Sequence, residues 1–129
     1  MLGNIVSFKY NFDKTGALTV IDPLDGVPII PHRVFFVHRP VGLRGRHAHK
    51  KTTEIVFPIA GHFELFLDDG TEFESHHLDS PNTGILIPPM IWIELSNFSK
   101  DCIYMAITDT SFNENDYIRD RGEYLDSKI

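Results

Sequence analysis

Along most of the chain, apolar residues recur at every second position in short runs. VSFKYNF, GALTVID, RVFFVHR, TEIVFPI, HFELFLDD, TGILIPP, MIWIEL and CIYMAITD are rich in β-branched and aromatic residues, which suit a pleated, half-buried surface. Turn residues separate them at Asp25-Gly26, Asp69-Gly70 and Asn82-Thr83-Gly84. The Asp69-Gly70 pair, between FELFLD and TEFES, is a strong hairpin signal because tight hairpin turns need left-handed backbone. Many short strands at this spacing predict one all-β domain over residues 1–129, a closed barrel or a sandwich. The pattern changes only in SFNENDYIRDRGEYLD. There Asn113 can cap a helix with Asp116 three residues on, and the first turn is acidic, as the helix dipole favours. A short terminal helix is predicted, with Tyr117, Ile118 and Leu125 against the barrel wall.

Composition narrows the partners. The chain has 129 residues, 42% of them apolar, and a net charge of −6. Those values fit a folded domain with one core and argue against nucleic acid or an anionic membrane, which recruit basic surfaces. Positive charge is concentrated between Arg33 and Lys51, which suits a phosphorylated small molecule. Cys102 is the single cysteine, so no intrachain disulfide forms and a reducing compartment is expected. The N-terminal stretch lacks a signal-peptide core, and no apolar run approaches the roughly 18 residues of a membrane span. A cytoplasmic protein is expected.

The chemistry-bearing stretch is RGRHAHK, Arg44–Lys50. Strict strand alternation puts His47 and His49 on one face with Gly45 and Lys51, and Arg44, Arg46, Ala48 and Lys50 on the other. Two exposed histidines on an edge strand would look the same. The pair has company, however. Glu54 follows His49 after four residues, and Gly61 follows Glu54 after six. His-x-His-x4-Glu-x6-Gly resembles the first signature of the cupin superfamily, a jelly-roll (double-stranded β-helix) barrel. Two imidazoles and a carboxylate in that setting can form a facial metal triad of His47, His49 and Glu54. In the stretch resembling the second signature, GILIPPMIWIEL, Gly84, Pro88 and Trp92 fit, but Ile93 stands where a fourth histidine ligand is expected.

Beyond the barrel signature, the sequence resembles the nucleotide-sugar 3,4-ketoisomerases of deoxysugar biosynthesis. The resemblance is carried by Phe12-Asp13…Gly16-Ala17-Leu18, Arg33-Val34-Phe35-Phe36-Val37 and Arg44-Gly45…His47-Ala48-His49-Lys50-Lys51. It continues through Leu67-Asp68-Asp69-Gly70, Leu78-Asp79-Ser80-Pro81 and Ile87-Pro88-Pro89 to Asp116-Tyr117-Ile118-Arg119-Asp120. It implies a homodimeric enzyme, without metal or other cofactor, that moves the ketone of a dTDP-4-keto-6-deoxyhexose from C4 to C3 for cell-surface glycans such as O-antigen. Histidine suits both proton removal at C3 and delivery at C4, because it titrates near neutrality. His47 is taken as the main proton acceptor, with His49 positioning substrate or relaying a proton. Arg44 is a candidate for the diphosphate, since a guanidinium grips it with two parallel bonds; a surface ion pair is the alternative. Arg33 and Glu54 are further substrate-binding candidates, and Trp92 is a candidate for stacking on sugar or base, with a core position as its alternative. Five positions depart from the family pattern: Thr15 for an arginine, Phe35 and Phe36 for tyrosines, Glu54 for a glutamine, and Ile93 for a histidine. Two other readings stay open, a sugar-nucleotide-binding cupin without activity and a metal cupin using His47, His49 and Glu54.

Overall fold

A computed structural model describes residues 1–129. Twelve strands follow one another: β1 (Asn4–Ser7), β2 (Lys9–Asp13), β3 (Gly16–Val20), β4 (Arg33–His38), β5 (Arg44–His49), β6 (Glu54–Ala60), β7 (Phe63–Asp68), β8 (Phe73–Leu78), β9 (Thr83–Ile87), β10 (Trp92–Ser96), β11 (Ile103–Thr108) and β12 (Tyr117–Ile118). One helix, α1 (Arg121–Asp126), closes the chain. Two five-stranded sheets, ordered β1-β9-β6-β11-β4 and β12-β5-β10-β7-β8, are paired antiparallel throughout. From β4 onward consecutive strands alternate between the sheets, except that β7 and β8 form a hairpin within the second, as in the expected jelly roll.

Period-two patterning explains where the cores lie. Phe63, Leu65 and Leu67 of β7 turn inward together with Ile93 and Leu95 of β10, Ile85 and Ile87 of β9, and Tyr104 of β11. Burying each Leu or Ile contributes about 1.5–3 kcal/mol. β6 is apolar on both faces. Its Val56 joins this interior, and Ile55 and Phe57 face the other way. There Val6, Phe8, Val27 and Ile29 cover them, drawn from the N-terminal segments that wrap the first sheet. A third cluster, Ala48, Trp92, Ile118 and Tyr124, lies where α1 meets the second sheet.

Two elements differ from the sequence reading. VSFKYNF splits at Phe8. β1 joins the first sheet through β9, while β2 pairs only with β3. The helix begins later than expected. Asn113 caps a single 3-10 turn, Glu114–Asp116, and Tyr117-Ile118 then pair with His49-Ala48. The helix proper is capped by Asp120, whose carboxylate accepts from Glu123 N at 2.9 Å. Tyr117 and Ile118 are β formers, and a strand edge at β5 was open to them.

Candidate active site

The site lies where the two sheets part, between β4 and the β5–β12 edge. A cavity of about 320 Å³ is lined there by Arg33, Phe35, Arg44, His47, Glu54 and Tyr104, with Phe112, Tyr117 and Arg119 from the C-terminal segment.

β5 is not a regular strand. Ile93 pairs with His47 and Leu95 with Arg44, and the register shifts between them. Gly45 and Arg46 have φ of 79° and 58°, the left-handed backbone of a bulge with an extra residue. Simple alternation sends Arg44 away from His47; the bulge instead returns it to the same face, where both line the cavity. Glycine is required at 45. A Cβ there would sit 3.0 Å from the Ile93 carbonyl oxygen and from Leu95 Cδ1. Arg44 Nε donates to the Tyr104 hydroxyl at 3.1 Å.

The two histidines have different surroundings. Their rings meet edge to face with centroids 5.0 Å apart. His47 reaches the cavity, and its Nδ1 is buried with no hydrogen-bond partner in the protein. Burial pushes its pKa down; the Glu54 carboxylate opposes this and the neighbouring His49 reinforces it. Burial thus favours the neutral, proton-accepting form of His47. His49 is 4% exposed and sits behind the wall. Its Nδ1 lies 3.0 Å from Asp116 Oδ2 and its Nε2 3.4 Å from Glu54 Oε2. Burial opposes charge on this ring, but the two carboxylates outweigh it and raise the pKa. Asp116 is itself anchored: Thr52 Oγ1 donates to it at 2.6 Å and Lys51 N at 2.7 Å. Burial would raise the Asp116 pKa, yet these bonds and His49 bring it below the usual range.

The expectation that both histidines face the substrate is corrected accordingly. His47 and Glu54 reach the cavity, and His49 supports Glu54 from behind. His47, His49 and Glu54 do not form a three-residue group arranged to hold a metal ion. Arg33 lines the cavity, stacks over Phe35 at 4.6 Å and Phe112 at 4.9 Å, and donates to the Tyr117 hydroxyl at 3.3 Å.

Trp92 is corrected to a core residue. Ile93 and Leu95 take the inward positions of β10, so Trp92 faces out. There it packs on Tyr124 at 5.4 Å between ring centroids, and its Nε1 donates to Glu94 at 2.9 Å. Of the two phenylalanines, Phe35 lines the cavity while Phe36 is exposed on the far face. Thr15 is also away from the cavity, bonded to Asp13 at the tip of the β2–β3 hairpin.

Sequence reasoning missed Tyr104, Asp116, Tyr117 and Arg119 as site residues. Alternation in CIYMAITD places Tyr104 with the inward residues Ala106 and Thr108, so a signal for it existed. Asp116 had none, because its residue type and spacing also fit a helix cap.

A jelly-roll barrel whose open edge holds the His47–His49 pair, Glu54 and three arginines is that of a cupin enzyme. More narrowly, the chain belongs to the family described as "FdtA: WxcM-like, C-terminal", whose model matches residues 2–129. It is 34% identical over 121 residues to TDP-4-oxo-6-deoxy-alpha-D-glucose-3,4-oxoisomerase of Aneurinibacillus thermoaerophilus, covering 92% of this chain and 87% of that one. Among solved structures it is similar to a 3,4-ketoisomerase from Helicobacter canadensis, with TM-score 0.94, 31% identity, and 99% and 98% of the two chains covered. It is also similar to QdtA, a sugar 3,4-ketoisomerase from Thermoanaerobacterium thermosaccharolyticum in complex with TDP. The TM-score there is 0.94, with 28% identity over 98% and 94% of the chains.

Proposed function

We propose that this protein is a sugar 3,4-ketoisomerase acting on a dTDP-4-keto-6-deoxyhexose. The carrying observation is the cavity itself: a histidine whose neutral form burial favours, a carboxylate beside it, and Arg33, Arg44 and Arg119 lining it from both sheets and the C-terminal segment, in a chain of net charge −6. The C4 ketone acidifies the proton on C3. His47 accepts that proton and the sugar becomes an enediol. A proton returned to C4 then leaves the ketone at C3. Glu54, charge-coupled to His49 and through it to Asp116, is suited to carry the proton that moves between the two oxygens. The arginines take the diphosphate, Arg44 with its Nε fixed by Tyr104.

We infer further that the protein works as a homodimer in the cytoplasm. Phe12 and Leu18 on the β2–β3 hairpin are 74% and 63% exposed, and the outer face of β4 presents Val34 and Phe36. Self-association would cover such apolar surface. A cytoplasmic location fits the unpaired Cys102 and a nucleotide-sugar substrate.

The test is to incubate the protein with dTDP-4-keto-6-deoxyglucose in D2O and follow the sugar by NMR. The proposal expects deuterium at the exchanged carbons and a 3-keto product. Binding without exchange or product would instead define a sugar-nucleotide-binding protein.

A further inference from the structure

Two phenols reach the cavity without a part in the proton transfers above. Tyr104 stands at the Arg44 end, packed on Phe63 and Phe98 with ring centroids 5.4 and 5.8 Å away. Tyr117 stands over the histidines, 5.1 Å from the His47 ring and 4.5 Å from His49. Three contacts fix it there. Its backbone pairs with His49, the Arg119 guanidinium covers its ring at 4.1 Å, and Arg33 Nη1 donates to its oxygen at 3.3 Å. An oxygen that accepts from a guanidinium directs its own proton elsewhere, and the cationic partner polarises the O–H bond, which strengthens it as a donor. The phenol lines the same cavity as His47 and Glu54.

We propose that Tyr117 is a catalytic residue that donates a hydrogen bond to the sugar oxygen on which negative charge develops. The proposal rests on the ketoisomerase reading. As His47 takes the C3 proton, the C–H electron pair becomes the C3–C4 double bond and the carbonyl pair moves onto O4. Tyr117 stabilises that oxygen by donation and keeps its proton throughout, so nothing else is consumed or released. A fixed donor aimed at developing charge costs no reorganisation during the reaction.

The test variant is Tyr117→Phe, which keeps the ring against both imidazoles and under Arg119 while removing the hydroxyl. The expected result is a kcat lower by about 10²–10³-fold, with TDP affinity close to wild type by calorimetry. An unchanged kcat, or a loss confined to KM and TDP affinity, overturns the proposal, because the phenol then only positions Arg33. If Tyr117→Phe melts too early to assay, site-specific 3-fluorotyrosine at 117 decides. It keeps the hydroxyl and makes it a stronger donor, so a shifted kcat supports the role and an identical kcat defeats it. The parent reading is separately exposed by the wild-type control. A wild type that forms no 3-keto sugar overturns both, whereas an active wild type with an equally active Tyr117→Phe overturns this proposal alone.

Discussion

Burial acts against charge on both histidines, and their partners decide the outcome. His47 has no carboxylate in hydrogen-bond contact, so its pKa falls. His49 is bonded to Asp116 through Nδ1 and has the Glu54 carboxylate 3.4 Å from Nε2, and its pKa rises. The rate should therefore lose its acid limb at a lower pH than an ordinary histidine would give, since His47 stays unprotonated further into acid. This is checked by a kcat/KM profile. The raised His49 pKa has the opposite sign in stability. A histidine whose folded pKa lies above its unfolded value contributes fully below the unfolded value and less as pH rises through the folded one. Asp116→Asn should cost about 1.5–3 kcal/mol, as for a hydrogen bond to a charged group. In urea titrations that cost should shrink as pH climbs above the usual histidine range. A cost unchanged over that range would mean that His49 is neutral in the fold. None of this was readable in RGRHAHK alone, because burial sets the His47 ring, while Glu54 and Asp116, the latter 67 residues beyond His49, set the His49 ring.

The bulge in β5 is the element-scale device. Period-two reasoning found the strands, and in β10 the structure turns Ile93 and Leu95 inward and Trp92 to the opposite face. It failed on Arg44, because one extra residue reverses the facing of everything before it. Gly45 was visible as a glycine inside a strand, which is a bulge signal. Gly45→Ala should cost about 1–3 kcal/mol in backbone strain, added to the contact with Ile93. It should also rotate Arg44 off the cavity wall, raising KM for the sugar nucleotide more than it lowers kcat. A KM at the wild-type value, in a variant that still folds, would mean that Arg44 does not hold the substrate. The tail was misread for a related reason. DYIRD carries both cap and strand signals, and only pairing with β5 decides between them.

At the scale of the molecule, the jelly roll uses its two sheets as walls and the C-terminal segment as a third side. Phe112, Tyr117 and Arg119 complete the cavity, and Asp116 ties the same segment to His49. The β2–β3 hairpin takes part in neither sheet and exposes its apolar residues. Light scattering after size exclusion should give about twice the 14.7 kDa chain mass, and Phe12→Ser with Leu18→Ser should shift it toward the single chain. A monomer at working concentration would contradict the dimer. The fold and its family were readable in the sequence because strand period and the His-x-His-x4-Glu spacing are local. The charge states, the bulge's consequence and the third wall come from long-range contacts.

The central claim is that His47 removes the C3 proton while His49 acts from behind through Glu54. The most direct test compares His47→Asn with His49→Asn in single turnovers of dTDP-4-keto-6-deoxyglucose in D2O, reading deuterium at C3 by NMR. The account predicts that His47→Asn abolishes C3 exchange, whereas His49→Asn slows it and retains a measurable rate. Exchange at the wild-type rate in His47→Asn would contradict it.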